Sequence, residues 1–452
     1  MPETQSRSFH LVTVVWGKRF IDRFLTTTLP TILAENNIPA FAGINEATYF
    51  IYTTEQDEEL LRGSDLIVEL QKHLPVIFVT DRYQAEQAKY VRVKVMHQAA
   101  LTNAATASAA TILLPPDGIW SDGTLSKISE MSEQGYRAVM SDGLRTVRDP
   151  FMTAFSIEFP ASSSGAISVD ARKLLKLAIE NLHPYEASIM WGSKMTHDVP
   201  FRLHWAVKGE GILTRGFCVL PILIDPETDV SDFVGAIDHG LVEAAINDPE
   251  KIYYCSGADD FAVVSVDELG FSSANYKTTG RREKILKIAQ WAQREATPQN
   301  LDAPNYPFRR NFTEPTERRW KSIEKMSQHQ LNAVLTCRKL LAIIEVMEKQ
   351  GANKAAEILA YALNEGGITG WLGDVSPHTI LVPTDRALEI LSSSDNLKIQ
   401  DKTTLRQKIF KYALPGIWSA SDVSREFNVE VEQADIEVED WWLQIIDRIL
   451  ED

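Results

Sequence analysis

Cysteine is scarce in this chain of 452 residues, which carries three: Cys218, Cys255 and Cys337. Three thiols at no metal-ligand spacing cannot build a disulfide framework, so a reducing compartment is expected, and the cytoplasm is the expected location. Long apolar runs are missing as well. No stretch of about 18 apolar residues exists to span a bilayer, and residues 1–10 are polar where a secretory leader would carry an apolar core. Positive charge is in deficit: 46 Lys and Arg against 62 Asp and Glu give a formal charge of −16. A general nucleic-acid binder needs a basic face to neutralise phosphates, so no nucleic-acid partner is expected. The sequence also lacks a Walker-type phosphate loop, a Gly-x-Ser-x-Gly nucleophile elbow, and the His-Glu-x-x-His and Cys-x-x-Cys zinc spacings. It holds no internal repeat.

What is present reads as an ordinary globular chain, 44% hydrophobic and 24% charged, long enough for two or three domains. Short β-branched runs at 11–15, 49–53, 76–80, 111–114 and 137–140 have the form of strands buried on both faces. Helical patterns at 19–34 (bent or split at Pro30), 91–110 and 126–134 separate them. Alternation of this kind predicts an α/β domain with a mainly parallel mixed sheet flanked by helices. Residues 151–159 and 165–169 read as strands, 171–182 as a helix capped by Asp170, and 211–224 as a long strand or hairpin. A helix at 237–245 and a strand at 261–266 follow. From 281 onward helical patterns dominate, with a proline-bearing arm at 301–317, a strand at 379–382 and a closing amphipathic helix around Trp441 and Trp442. The expected division is 1–280 for the sheet domain, 281–318 for a linker, and 319–452 for a mostly helical region suited to oligomer formation.

Ligands of such sheets bind beyond the carboxyl ends of the strands. The fourth strand ends in Leu114-Pro115-Pro116-Asp117-Gly118, and a second Asp-Gly pair follows at Asp122-Gly123. A carboxylate held at a strand end suits a divalent cation, Mn²⁺ or Mg²⁺, that binds a diphosphate. Both pairs also read as turns in which Asp bonds the local backbone. Arg145 and Arg148 follow the fifth strand and suit phosphate recognition or surface ion pairs. Residues 183–215 are dense in polar and aromatic side chains, among them His183, Tyr185, Glu186, Trp191, Asp198, His204, Trp205 and Glu210. Aromatic rings beside acids bind sugar faces. Glu186 and Asp198 are the candidates for a general base toward an acceptor hydroxyl.

The strand order and the segment 113–117 resemble a GT-A-type glycosyltransferase over roughly residues 8–270. That resemblance implies a nucleotide-sugar donor, a carbohydrate, lipid or protein acceptor, and an Asp-X-Asp metal motif. The motif's second Asp falls on Asp117. Its first falls on Pro115, which offers no side-chain ligand, and Asp122 compensates only if the loop folds back. The resemblance further places the nucleotide against Val15, Trp16 and Gly17, against Thr53 and Glu55, and its diphosphate against Lys94 and His97. His204 and His239 are candidates for a later metal-binding His. Each has a plainer reading: Trp16 as packing, Thr53 and Glu55 as a helix cap, Lys94 as solvated, the histidines as structural. Two other functions stay open: a non-catalytic binding or scaffold protein on the same sheet, and a sugar nucleotidyltransferase. The single glycine of Trp16-Gly17-Lys18-Arg19-Phe20 is poor in the glycine that the second would need.

Overall fold

The structure, a computed structural model, describes residues 8–80, 88–197, 201–233, 235–270, 277–278, 280–363, 378–392, 412–447 and 450. They divide into two compact units: residues 1–193, 201–276 and 296–324 in one, and 194–200, 277–295 and 325–452 in the other.

The chain begins with β1 (Ser8–Val14), α1 (Lys18–Thr26), α2 (Thr28–Ile32), α3 (Ile38–Ile44), β2 (Glu46–Tyr52), α4 (Glu55–Arg62), α5 (Asp65–Leu70) and β3 (Val76–Val79). The long α6 (Lys89–Thr106) leads to β4 (Ala110–Leu113), β5 (Gly118–Trp120), α7 (Thr124–Glu133), β6 (Ala138–Ser141) and β7 (Leu144–Val147). Next come α8 (Arg148–Glu158), α9 (Ala171–Glu180), α10 (Pro184–Ser188), β8 (Met195–Thr196), β9 (Arg202–Val207), β10 (Gly211–Gly216) and β11 (Leu220–Ile224). Then follow α11 (Leu241–Ala245), β12 (Ile252–Tyr254), β13 (Val263–Asp267), β14 (Lys277–Thr278), α12 (Arg281–Glu295), α13 (Pro298–Asp302) and β15 (Phe308–Asn311). The remainder holds α14 (Glu317–Lys349), α15 (Asn353–Tyr361), β16 (His378–Pro383), α16 (Asp385–Ser392), β17 (Ala413–Pro415), β18 (Val431–Val438) and β19 (Trp441–Ile446).

The first unit is built on a seven-stranded sheet of order β12-β6-β11-β4-β1-β2-β3. Its pairs are parallel except where β11 runs against β4 and β6. The α/β expectation, a mainly parallel mixed sheet flanked by helices, is therefore what the chain adopts, and a mostly helical region follows it. The β1 register alternates as a doubly covered strand must. Phe9 and Leu11 enter a core with Phe24, Phe41, Tyr49 and Ile128, while Val12 and Val14 pack with Phe50, Leu113 and the α6 residues Met96 and Ala100 on the other face. Chain order reverses between β1 and β4, since β1 pairs with both β2 and β4. A crevice at that reversal is the expected ligand position.

Two smaller sheets complete the first unit, β5-β13-β7 and β15-β10-β9. The second unit holds the β8–β14 pair, helical segments, and a four-stranded sheet of order β17-β16-β19-β18.

Several elements differ from the sequence expectation. Residues 151–159 lie largely in α8, because Phe151, Phe155 and Phe159 recur every four residues, and their rings pack in succession at 5.9 and 5.1 Å. Residues 165–169 form no strand. The 211–224 run splits into β10 and β11, which join different sheets. The proline-bearing arm contains β15, paired antiparallel with β10. The closing segment is β19 rather than a helix, pairing in parallel with β16.

Candidate functional site

At the chain reversal, the ends of β1 and β4 are pinned together before they diverge. Thr13, fully buried, bonds Tyr49 Oη at 2.7 Å and donates to the Leu114 carbonyl at 2.8 Å. Pro115 and Pro116 have no N–H, so the chain must leave the ladder there. The Thr28 hydroxyl, 2.9 Å from both the Pro115 and Gly118 carbonyls, fixes the departing turn. Asp117 thereby lines a cavity of about 200 Å³, together with Val14, Val15, Trp16, Phe20, Lys89, His97, Leu114, Pro116 and Ile237 among others. The sequence-predicted Val15, Trp16, His97 and Asp117 meet in this one cavity.

Cationic side chains lie beside the aromatic wall. Lys89 Nζ lies 4.5 Å from the Phe20 ring centroid, and the Arg92 guanidinium 5.4 Å from that of Trp16. Both belong to the first turns of α6, which has no acidic residue in its first turn and, among the described residues, no side-chain cap. A helix start of that kind favours negative charge. Burial holds the His97 imidazole down to about 4 against the opposing charge of Asp238, so His97 is neutral at physiological pH.

Asp117 has charged company of both signs. Burial and the nearby Asp267 push its carboxyl above the usual range, while Arg23 and Arg145 pull it back. Asp267, at the end of β13, is held between the two arginines: Arg23 Nη1 lies 3.2 Å from Oδ1 and Arg145 Nε 2.8 Å from Oδ2. Arg145 thus forms an ion pair, with the buried Asp267. Asp267, whose charge acts on Asp117, is already committed to two guanidinium groups, so this cluster is poorly suited to a second metal carboxylate. Asp122 does not fold back to serve. It accepts from the Asn36 N–H, Asn36 Nδ2 and Ser168 Oγ, and it lines a separate groove with Ser126 and Lys127.

The other expectations separate as follows. Gly17 takes φ +77°, as only glycine does freely, and its N–H donates to Asp57 Oδ2 at 2.7 Å. Asp57 thus satisfies the loop after β1, and Glu55 stands exposed in the first turn of α4. Thr54, not Thr53, caps that helix by accepting from the Asp57 N–H. Thr53 is fully buried and its hydroxyl has no hydrogen-bond partner among the described residues. Lys94 is exposed, and its charge reaches Asp238. Asp198 lies outside the described residues.

Glu186 and His204 join a buried network instead of an open site. Glu186 Oε2 meets His204 Nε2 at 2.7 Å, Oε1 accepts from the Arg145 N–H at 3.2 Å, and His204 Nδ1 meets Thr214 Oγ1 at 2.9 Å. Neither side chain has exposed surface. This corrects the candidate base role of Glu186, since no acceptor hydroxyl reaches a carboxylate enclosed on both oxygens. The aromatics of the same stretch are core too: Trp191 and Trp205 are buried and stack at 6.1 Å. Glu210 anchors the start of α14, accepting from the Thr316 N–H and Trp320 Nε1 at 2.8 Å each.

His239 has neighbours suited to a metal. It lies with Cys218 and Asp238 so that one ligand atom from each falls within 4.8 Å of the others. Burial, then Asp238, pushes the Cys218 thiol up. No metal-ligand spacing marks Cys218, which stands well before Asp238 and His239 in the chain. Lys89 precedes the 91–110 stretch that reads as helix, Arg92 stands within it with no motif to single it out, and Asp267 lies one residue past the 261–266 strand pattern.

No family model matches the chain, and no curated protein matches it. Among solved structures, it is similar to mouse xyloside xylosyltransferase 1 in its apo form at 14% identity and TM-score 0.23, over 35% of this chain and 61% of that one. TarS from S. aureus is similar at 11% identity and TM-score 0.26, over 80% of this chain and 54% of its own. The mannosyltransferase PcManGT from Pyrobaculum calidifontis, solved with GDP-Man and Mn²⁺, is similar at 11% identity and TM-score 0.26, over 80% and 81%. The chain spans less than two thirds of the first two proteins' own length. TM-scores this low leave the functional reading to the residues themselves. Among the described residues, no helix is long and apolar enough to cross a membrane.

Proposed function

We propose that the chain is a glycosyltransferase that binds a nucleotide-activated sugar at the β1/β4 crevice and passes the sugar to an acceptor hydroxyl. The observation that carries this reading is the cavity itself. It lies at the chain reversal of a mainly parallel sheet, where nucleotide ligands of such sheets bind, and it combines an apolar wall, Lys89, neutral His97 and Asp117. At about 200 Å³ it is smaller than the roughly 300–1,000 Å³ of most ligand pockets, so it takes one ring of the donor. Base or sugar packs against Trp16 and Phe20, and Lys89 with the start of α6 faces the diphosphate. Asp117 accepts a hydrogen bond from a sugar hydroxyl. Its arginine-flanked surroundings give this step no metal requirement at Asp117.

Release of nucleotide from a panel of donor sugars tests transfer. Asp117→Asn is expected to lower turnover roughly 100-fold, the scale of losing one well-placed polar contact in a transition state. Asp122→Asn, whose side chain bonds Asn36 and Ser168 and lines a separate groove, is expected to leave turnover within about 2-fold, the range expected of a group outside the reaction. Equal turnover in wild type and Asp117→Asn sinks the assignment. The second reading, a binding protein without transfer, is favoured by Pro115 at the motif's first position, and binding with no nucleotide release in any acceptor mixture would select it.

A further inference from the structure

Cys218 lies in the short connection between β10 and β11, and Asp238 and His239 lie just before α11. One buried side chain holds these two loops in register. Asn300 Nδ2 donates to the carbonyls of Phe217 at 3.0 Å and Asp238 at 3.1 Å, the residues immediately before Cys218 and His239. Asn300 is 2% exposed and is itself fixed by the reciprocal Thr297–Asn300 cap of α13. The approach of the two loops is therefore built into the fold.

The donor atoms have a geometry of their own. Cys218 Sγ lies 3.7 Å from His239 Nε2. Zinc bonds of about 2.3 Å to sulfur and 2.0–2.1 Å to nitrogen, at a tetrahedral angle, set the S···N separation at roughly 3.6 Å. His239 Nδ1 lies 3.1 Å from Asp238 Oδ1, and one ligand atom from each of Cys218, Asp238 and His239 falls within 4.8 Å of the others. By contrast, 3.7 Å is long for proton transfer within a Cys–His nucleophile pair, which needs roughly 2.6–3.2 Å.

From this arrangement we propose that Cys218, Asp238 and His239 form a binding site for a thiophilic divalent cation, Zn²⁺ by chemical class, with three protein ligands. A sulfur, a nitrogen and an oxygen donor select zinc over magnesium or manganese, which prefer all-oxygen shells. A thiolate and a carboxylate also balance the charge of the ion. Three protein ligands leave a fourth position for water or a substrate oxygen. Ile237, beside Asp238 in sequence, walls the β1/β4 cavity, and the charge of Asp238 acts on His97 in the same wall. The site therefore adjoins the proposed donor cavity, although the inference does not rest on a nucleotide sugar binding there.

Titration of the full-length, metal-stripped chain with Co²⁺ tests it, read by absorption. The expected result is one equivalent bound with a cobalt–thiolate charge-transfer band, displaced by Zn²⁺ and not by Mg²⁺. Cys218→Ser is expected to abolish the band, and His239→Gln to weaken Co²⁺ binding by roughly 100-fold or more. Circular dichroism of the metal-free variants separates ligand loss from misfolding, and His239→Gln alone decides the matter if Cys218→Ser does not fold. A missing band in wild type, a band that survives Cys218→Ser, or unchanged affinity in His239→Gln overturns the site. Because no nucleotide enters the titration, its failure is separate from failure of the donor reading.

Discussion

Glu186 keeps its negative charge where it has no exposed surface, and its partners explain how. Burial alone would raise its carboxyl, but Arg202 and the hydrogen bond with His204 hold it down to about 2. Burial in turn lowers the His204 imidazole below 6.5, with Glu186 opposing. Both groups bind fewer protons folded than unfolded, so their contribution to stability is present at neutral pH and lost on acidification. For His204 the loss begins as pH falls through 6.5; for Glu186 it runs from 4.5 down to about 2. Asp117, with its carboxyl raised from 3.8, acts in the opposite sense, and its contribution fades as pH rises. Glu186→Gln is expected to cost roughly 3 kcal/mol at pH 7 by leaving Arg202 and His204 mismatched. Urea denaturation at stepped pH should show the gap to wild type narrowing from 4.5 toward lower pH. A gap independent of pH contradicts the network. The sequence singled out Glu186 and His204 as polar residues worth attention. It could not show that α10 and β9 seal them against each other, because that contact is purely tertiary.

Among elements, the strands of the main sheet were legible because doubly buried strands are continuous apolar runs. Where two periods compete, reading failed. Phe151, Phe155 and Phe159 carry a helical spacing inside a segment rich enough in aromatics to read as strand, and Trp441 to Ile446 is apolar at nearly every position, which supports either state. The 301–317 arm misled through its prolines: Pro304, Pro307 and Pro315 all flank β15 and none interrupts it. What fixes β15 is its partner. Gly211 of β10 stands so close that a Cβ there would meet the Arg310 carbonyl oxygen at 2.1 Å. Gly211→Ala is therefore expected to force β15 away from β10 and cost roughly 3 kcal/mol, the upper range for single substitutions. The denaturation midpoint measures it, and a change under about 0.5 kcal/mol contradicts the strand pairing, since only uninvolved positions tolerate substitution so well.

For the whole molecule, the candidate site was half legible. Val15, Trp16, His97 and Asp117 lie at strand ends or on the crossover helix, so the general rule for parallel sheets found them. Lys89, Ile237 and Asp267 come from a helix start, a loop and a strand of a different sheet, and nothing local in sequence links them. Thr53 is buried in the core, Glu55 and the α6 residue Lys94 are exposed, and Asp122 is engaged with Asn36 and Ser168. The central claim is that the β1/β4 cavity binds a nucleotide-activated sugar. Its most direct test is thermal unfolding of the full chain with UDP-, GDP-, CMP- and dTDP-sugars, with and without Mn²⁺. At 100-fold excess over its Kd a true ligand adds roughly 2.7 kcal/mol. The expected result is a rise of several degrees for one nucleotide class, present without Mn²⁺ and lost in Lys89→Glu. No shift with any donor, or a shift that survives Lys89→Glu unchanged, contradicts the claim.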